Sequence, residues 1–483
     1  MKRYIDCVEQ PIAYSDVDSF DRCDALFPAY QNSPRYQAAT EERNRGSIAW
    51  GAALVARSYL LMFKTTKDER FLRKFIGHAE QILLSRDSLM GLKDYKGYSG
   101  PVWSSGRPYT TNSNVIQEVD GPGILEVRSK NASYLKILQG ESSFSLEFFD
   151  ESNRSFGVIE NVNLDQTSER YITKVLSEQN WKQPLAAAKV SQDFSRENFI
   201  GTRAIELKEN FYTAAVETGQ ICASLLEFCQ LVSMDANLSQ YETYAQRYTE
   251  ISVEALNYHS KDICTDESGI YIKIENDAPY DFESTDAPLN HTLSIARCFI
   301  LLYSITNEAK YRDLSEGMIK HFVHSLSVAK SDIGDSYTWP YFSVAGVNHN
   351  GYDVTERVSD WRTSRIGYPR MEDISHAIIA IEACVDAAKA GIIFRESDLK
   401  MFANTFMNNI LDDTDSGTLV SNYVDGSGGF NKYVNAIGRW GILSPWHAGL
   451  WDRCHRIMND AQPELDHATV LYGMATLMHY RNI

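Results

Sequence analysis

The chain has 483 residues, of which 43% are hydrophobic and 23% are charged, as in an ordinary globular protein. Asp and Glu outnumber Lys and Arg by 64 to 47, and the formal charge of −17 argues against a nucleic-acid backbone or an anionic membrane as the main partner, because both attract a basic face. No apolar run reaches the roughly 18 residues that predict a membrane-spanning helix.

The first residues, MKRYIDCVEQ, lack the apolar segment of a signal peptide, which predicts a cytoplasmic protein unless a signal was removed. Eight cysteines are scattered along the chain without a CxxC pair, and we interpret them as buried, reduced thiols. This usage favours a reducing compartment, or a secreted enzyme that tolerates free thiols.

A helical hairpin is predicted twice in nearly the same form. YLLMFKTTKDERFLRKFIGHAE begins at Tyr59, and FILLYSITNEAKYRDLSEGMIK begins at Phe299. In both, the first helix ends in Thr followed by two polar residues, and an aromatic residue opens the second helix. Looser copies follow at residues 225–251 and 378–410, where Ser397 is a candidate N-cap, and a last pair contains GLWDRCHRIM and HATVLYGMATLMHY.

Repeated hairpins cannot each bury an apolar face alone, so they must stack on their neighbours. Five or six hairpins predict a closed ring rather than an open solenoid. The predicted fold is therefore mainly α, an (α/α)5–6 toroid, with residues 1–99 as its first part and residues 209–483 as the remainder.

Residues 100–208 show a different pattern. GILEVRSKNASYLKILQG, SSFSLEFFDES and FGVIENVNL alternate apolar and polar residues and are separated by Gly, Asn, Asp and Ser. This predicts a small β-rich domain inserted into the toroid, which either binds a ligand or covers one end of the ring.

The motif RMEDISHA contains the first candidate site. Glu372 and Asp373 lie four and three residues before His376, so on a helix they would be its neighbours. A carboxylate beside an imidazole fixes its tautomer and raises its basicity, which suits general acid–base catalysis. The alternative is that the carboxylates only favour the helix N-terminus and His376 belongs to the core. Aromatic and basic residues of the same loop system favour the functional interpretation: Trp339, Tyr341, Tyr368 and Arg370.

Three further motifs precede predicted hairpins. DAPLNHT places Asn290 and His291 at a helix start, where Asn290 could also be an N-cap. FYTAAVETGQ places Tyr212 and Glu217 before a helix expected from about Gly219. The last motif, IGRWGILSPWH, presents Arg439, Trp440, Trp446 and His447. In a closed ring, side chains at the hairpin starts would gather at one end, which predicts a single active site.

Aromatic residues make up 12% of the chain, and exposed Trp and Tyr faces stack on sugar rings. The motif LDDTDSG, with Asp412, Asp413 and Asp415, could bind Ca²⁺, but it lacks the spacing of an EF-hand loop, and a solvated acidic turn is favoured. No Gly-rich phosphate loop, HExxH or GxSxG motif occurs, and no metal-ligand set is predicted.

With its WPY, EDISHA and PLNH segments, the hairpin ring resembles the (α/α) toroid carbohydrate-active enzymes, which include polysaccharide lyases, uronyl epimerases and unsaturated-uronyl hydrolases. The resemblance covers roughly residues 40–95 and 210–483. It implies a uronate-containing poly- or oligosaccharide as the substrate and β-elimination as the reaction. It also implies Asn290 or Arg370 as the group that neutralises the uronate carboxylate, His376 or His291 as the base, and Tyr341 as the acid.

The remaining candidates are expected to bind substrate: Trp339, Tyr368, Asp373, Glu217, Tyr212, Arg439, Trp440, Trp446 and His447. Three alternatives stay open. The first is a glycoside hydrolase that uses Glu217 with Glu372 or Asp373, and the second is a uronyl C5-epimerase. The third is a ring without carbohydrate catalysis, which either binds carbohydrate or cyclises an apolar substrate. The oligomeric state is left open.

Overall fold

A computed structural model of the chain describes residues 12–27, 45–117, 124–141, 143–179, 185–191, 202–415 and 417–481. The segment on which the signal-peptide prediction rests lies outside these residues. The described residues contain fifteen α-helices. They are α1 (Val17–Asp24), α2 (Ala53–Thr66), α3 (Arg70–Leu84), α4 (Asp87–Met90), α5 (Ile172–Gln179), α6 (Ala215–Met234), α7 (Glu242–Tyr258), α8 (Leu289–Thr306), α9 (Ala309–His324), α10 (Val347–Asn350), α11 (Ile374–Lys389), α12 (Glu396–Asn404), α13 (Ile437–Trp440), α14 (Leu450–Ala461) and α15 (Ala468–His479).

The strands are short and form small antiparallel sheets. They are β1 (Asn112–Gln117), β2 (Ile124–Ser129), β3 (Tyr134–Gln139), β4 (Phe144–Phe149), β5 (Ser155–Val162), β6 (Ala186–Val190), β7 (Arg203–Glu206), β8 (Ile263–Asp266), β9 (Gly269–Ile272), β10 (Ser327–Ala329), β11 (Ser336–Thr338), β12 (Gly351–Tyr352), β13 (Arg365–Ile366), β14 (Leu411–Thr414) and β15 (Gly417–Val420). The prediction of a mainly helical protein is confirmed.

The two closest sequence repeats fold alike. Lys67 and Asn307 end α2 and α8 in the left-handed conformation, with φ of 60° and 56°. In each turn the preceding Thr hydroxyl accepts a hydrogen bond from the backbone N–H two residues later. The ring of Tyr59 stacks on that of Phe71, with ring centroids 6.5 Å apart, and Phe299 stacks on Tyr311 at 6.1 Å. The same residue pattern therefore produces the same turn and the same packing.

Six helices contact one another in succession. The order runs from α2 to α6, α8, α11, α13 and α15, and α15 returns to contact α2. A Cβ at Gly219 of α6 would lie 2.4 Å from the Ser294 Oγ of α8. These residues are the fifth and sixth of their helices, so α6 and α8 run parallel, with their N-termini at the same end.

The segment predicted to be β-rich contains β1 to β7 and the short helix α5. Its strands form one sheet with the order β1-β2-β6 and another with the order β5-β4-β3-β7. Alternate residues such as Leu135, Ile137 and Leu146 face a second hydrophobic core, separate from that of the helices. Lys130 of this segment reaches Asp281 at 2.6 Å and so contacts a loop of the helical region.

One expectation about local structure is corrected. The helix α12 begins after Arg395, whose backbone N–H donates to Asp398, so Ser397 is not its N-cap. The acidic motif LDDTDSG lies on the hairpin of β14 and β15, where Asp413 accepts a hydrogen bond from Thr418 and pairs with Arg453. The seven cysteines within the described ranges are free thiols, and Cys7 lies outside those ranges.

Candidate functional site

The EDISH motif surrounds the start of α11 rather than lying on the helix. Asp373 is the N-cap, and its Oδ1 accepts hydrogen bonds from the backbone N–H groups of Ser375 and His376, both at 3.1 Å. Aspartate is favoured at this position because it satisfies N–H groups that lack a partner within the helix. Glu372 therefore precedes the helix, and the sequence-based expectation that Glu372 and His376 share a helical face is wrong.

His376 is oriented by the same aspartate. Its Nδ1 donates a hydrogen bond to Asp373 Oδ2 at 2.7 Å. Burial alone would raise the pKa of Asp373, but the hydrogen bonds and charge of His376 lower it to about 2, so the carboxylate is ionised. In the neutral imidazole Nδ1 therefore carries the proton, and Nε2 makes no hydrogen bond within the described part of the chain. The imidazole is 37% exposed, so Nε2 is available as a base.

Glu372 and Asn290 form a buried polar pair next to this histidine. Their exposures are 0% and 1%, and Asn290 Nδ2 donates to Glu372 Oε2 at 3.1 Å. Glu372 Oε1 and Asn290 Oδ1 have no hydrogen-bond partner among the described residues. Burial, followed by the negative charge of Asp373, raises the pKa of Glu372 well above its ordinary value. Burial therefore favours the protonated form of Glu372, which can donate a hydrogen bond.

Asn290 does not cap its helix. The helix α8 begins at Leu289 after Pro288, and Asn290 lies in the first turn with its amide directed to Glu372. The following residue, His291, is 5% exposed, and burial, together with the charge of His376, lowers its pKa to about 3. At neutral pH the His291 imidazole is uncharged.

Tyr341 is held beside the histidine by the backbone. Its N–H donates to Arg370 O at 2.8 Å, and its carbonyl accepts from the Leu289 N–H at 2.9 Å. Its ring centroid lies 6.1 Å from that of His376. Burial raises the pKa of Tyr341 well above 10, so its phenol keeps the proton and can serve as an acid.

Arg370 provides the accessible positive charge of this cluster. It exposes 33% of its side chain, and its guanidinium donates to Tyr368 Oη at 3.0 Å and to Asp373 Oδ2 at 3.5 Å. The guanidinium also lies 4.7 Å from the centre of the Tyr423 ring. An aromatic ring and two oxygen atoms therefore orient a cation at the edge of the site.

Glu217 lies on α6, and Tyr212 lies in the segment just before this helix. This helix begins at Ala215, not near Gly219, and Glu217 lies in its first turn with an exposure of 2%. Its Oε2 accepts a hydrogen bond from Ser105 Oγ at 2.8 Å, and burial raises its pKa to about 8. Tyr212 packs against Tyr280, with ring centroids 5.6 Å apart.

Sequence reasoning missed two aromatic members of the cluster. Tyr280 lies 6.5 Å from His291 between ring centroids, and Trp50 lies 5.9 Å from His376. Tyr280 belongs to the irregular segment that precedes α8, and long irregular segments in a helical protein often line functional faces. Trp50 immediately precedes α2, the same relative position as the other site residues, and the repeat could have revealed it.

Two tryptophans predicted to bind substrate lie in the core instead. Trp339 is fully buried between Phe322 and Phe402, with ring centroids 5.7 and 5.6 Å away. Trp440 is also fully buried, stacks on Phe406 at 5.4 Å and donates through Nε1 to Ile374 O at 3.1 Å. Neither ring leaves a face for a sugar. Their sequence pattern suits core packing as well as carbohydrate stacking, which explains the error.

The other residues of the last motif are also outside the cluster. Arg439 is buried and donates to Glu382 Oε1 at 3.0 Å, at the ninth residue of α11 rather than at its start. Trp446 packs against the helical core, and His447 Nδ1 contacts the carbonyl of Ala448 at 2.7 Å. The prediction that all four hairpin starts supply one site therefore fails for this motif.

The acidic and imidazole atoms of Glu372, Asp373 and His376 lie within 4.8 Å of one another, close enough for all three to contact one cation. However, Asp373 Oδ2 and His376 Nδ1 already bind each other. A cation bound through Nδ1 of His376 would have to displace the proton of that nitrogen.

Comparison with known proteins gives this chain no family: no protein-family model, curated protein or solved structure matches it. The chemistry of the site therefore has to be argued from its own residues.

Proposed function

We propose that this protein is a carbohydrate-active enzyme, a polysaccharide lyase that cleaves a uronate-containing glycan by β-elimination. The observation that carries the proposal is the half-exposed imidazole of His376, oriented by Asp373, with the protonated phenol of Tyr341 beside it. A base and an acid at one site suit a reaction that removes a proton from carbon and returns one to a leaving oxygen.

The fold proposed for this enzyme is an (α/α) toroid. The succession of contacts from α2 through α15 and back to α2 supports it. A cavity of about 620 Å³ is lined by at least one residue from each of these six helices. They include Lys64, Gln230, Ser304, Lys389, Arg439 and Thr476. The site lies at the opposite ends of the helices, where α6, α8 and α11 begin.

The first requirement of the reaction is to neutralise the uronate carboxylate, because the proton on the adjacent C5 is only weakly acidic. Arg370 supplies an exposed guanidinium for this role. Behind it, the amide of Asn290 and the neutral carboxyl of Glu372 supply donors that cost no charge repulsion. Neutral acids at this position also explain how a chain with a charge of −17 can accept a polyanion.

The second requirement is a pair of proton-transfer groups. Nε2 of His376 accepts the C5 proton, and the electrons of that bond form the C4–C5 double bond. The bond from C4 to the glycosidic oxygen then breaks, and the Tyr341 phenol protonates the leaving oxygen. His291 is uncharged and next to this site, and it is the second candidate for the base.

The carboxylates of the site fit hydrolysis less well. A glycoside hydrolase needs one ionised and one protonated carboxyl group. The pKa values of Glu217 and Glu372 are both raised, and the ionised Asp373 is occupied by its hydrogen bonds to Ser375, His376 and Arg370. C5 epimerisation shares the proton abstraction, and the assay distinguishes it from elimination.

The test incubates the full chain with a panel of uronate polysaccharides and follows the ultraviolet absorbance of unsaturated uronates. Growth of this absorbance is the expected result, and its loss in His376→Ala and Tyr341→Phe assigns the two roles. His324→Ala and Tyr244→Phe are matched controls at surface positions. New reducing ends without absorbance would indicate hydrolysis, and inverted C5 stereochemistry without cleavage would indicate epimerisation.

A further inference from the structure

The cavity enclosed by the six helices opens at the ends opposite the candidate active site. Lys64 and Lys389, which line it, are in the last turns of α2 and α11. Arg297 and Asn290 lie seven residues apart on α8, so the floor of the cavity is about 10 Å from the candidate site along the helix. Its volume of about 620 Å³ lies in the range of small-molecule sites.

The floor of the cavity is a balanced network of charges. Arg57, Arg297 and Arg439 form ion pairs with Glu227, Glu382 and Asp386. Three positive groups therefore face three negative groups. The only further carboxylate of the lining is Asp235, at the rim, which caps the turn at Asn237.

The two lysines of the lining add positive charge to this balanced network. Lys64 and Lys389 have no ion-pair or hydrogen-bond partner in the described part of the chain, and Arg439 Nε, in a side chain that is 5% exposed, also lacks a partner there. Burial lowers the pKa of Lys64. The charge of Lys389 also lowers it, whereas Glu227 and Asp386, which already pair with arginines, raise it. Burial and the nearby Lys64, Lys389 and Lys67 lower the pKa of His479 to about 4. The cations at this end therefore repel one another.

Lysine in the last turn of a helix is favoured by the helix dipole, and this explains part of the arrangement. The helix dipole favours a lysine in the last turn whichever way its side chain faces. It therefore does not explain why Lys64 and Lys389 both line one cavity.

We propose that this cavity binds a small ligand that carries an oxyanion, either a carboxylate or a phosphate, between Lys64 and Lys389. An oxyanion supplies acceptors to both ammonium groups, and it offsets the repulsion between the lysines. Gln230 and Tyr480, on the same lining, provide neutral polar groups for the rest of the ligand. The site does not depend on the reaction proposed for the other end.

Isothermal titration calorimetry on the full chain tests the site, with inorganic phosphate and glucuronate titrated separately at constant ionic strength. We expect one-to-one binding of at least one of them, weakened at least about tenfold when Lys64→Met and Lys389→Met are combined. Binding of phosphate alone identifies a phosphate site, and binding of glucuronate alone identifies a site for organic acids.

The control combines Lys310→Met and Lys330→Met, two exposed lysines outside the cavity, and it should bind as the wild type does. If the double cavity variant does not fold, the single variants Lys64→Gln and Lys389→Gln replace it, and each should still weaken binding. Absence of binding by both anions would overturn the proposal. Equal binding by wild type and cavity variants would also overturn it, because such binding would be an adventitious ion only.

Discussion

Two pairs of glutamates, each separated by ten residues, have pKa values shifted in opposite directions at the two levels of the helical region, the candidate active site and the arginine network. Glu217 and Glu227 both lie on α6, whereas Glu372 precedes α11 and Glu382 lies within it. All four are buried or nearly so. The first member of each pair lies in the candidate active site and has a raised pKa, while the second lies in the arginine network and has a lowered pKa.

The difference comes from the partners and not from burial. Burial alone would raise the pKa of Glu382, but the guanidinium groups of Arg57, Arg439 and Arg297 lower it to about 2. Glu372 has no ion pair among the described residues: burial and the charge of Asp373 raise its pKa, and the Asn290 amide and the charge of Arg370 offset only part of this effect. Burial with opposite charges therefore produces a structural group, and burial without them produces a neutral acid suited to chemistry.

The largest effect is expected when a carboxylate is removed from the network. Glu382→Gln leaves three buried guanidinium groups short of one negative charge, and loss of a partner from a buried ion pair costs about 3–5 kcal/mol. Urea unfolding followed by circular dichroism measures the loss. If Glu382→Gln destabilises the protein no more than Glu372→Gln does, the arginine network and the candidate site do not differ in the charge of their glutamates.

A large effect on activity, with little effect on folding, is expected at Asp373. Asparagine is also a good N-cap, so Asp373→Asn should keep α11 intact and change the free energy of unfolding by about 1 kcal/mol or less. The Asp373→Asn variant no longer fixes the tautomer of His376, so turnover should fall by about 10²-fold or more. Turnover and urea unfolding of the same preparation provide the check. Equal turnover in Asp373→Asn and wild type would exclude the Asp373–His376 pair from the mechanism.

Glu217 should make stability depend on pH. The folded chain keeps the Glu217 proton up to a pKa of about 8, whereas the unfolded chain releases it near 4.5. The folded state binds more protons in that window, so the free energy of unfolding falls as pH rises, by up to about 1.4 kcal/mol per pH unit. Glu217→Gln should flatten this slope in urea titrations from pH 5 to about 8. If the free energy of unfolding of Glu217→Gln depends on pH as strongly as that of the wild type, a group other than Glu217 binds the proton.

The smallest effect is expected for Glu372→Gln. Burial favours the protonated form of Glu372, and glutamine is an uncharged hydrogen-bonding group of nearly the same shape as that form. The free energy of unfolding should change by less than about 1 kcal/mol, measured beside Glu382→Gln under the same conditions. A loss as large as that of Glu382→Gln would mean that Glu372 is ionised.

The repeated hairpins could be predicted from the sequence because their signals are local. The aromatic pairs Tyr59–Phe71 and Phe299–Tyr311 stack as the alignment of the repeats implies, and both turns use a left-handed residue after Thr. Turn chemistry and helical periodicity act over a few residues, so they are visible without a structure.

The site could be predicted only in part because its geometry depends on contacts between distant segments. The motif residues Asn290, Glu372 and His376 do lie together, but the backbone hydrogen bonds of Tyr341 to residues 289 and 370 are invisible in the sequence. Aromatic residues such as Trp339 could equally have been core or surface. Tyr280 was missed because it stands outside any recognisable motif, whereas the position of Trp50 before α2 could have been found from the repeat.

The protonation difference between the two levels is measured most directly by infrared difference spectroscopy of the carboxyl groups at neutral pH. We predict a protonated carboxylic-acid band in the wild type that decreases in Glu217→Gln and in Glu372→Gln and is unchanged in Glu382→Gln. If the wild type shows no such band, or if Glu382→Gln removes it, the candidate site does not hold neutral acids and the proposed division of the molecule is wrong.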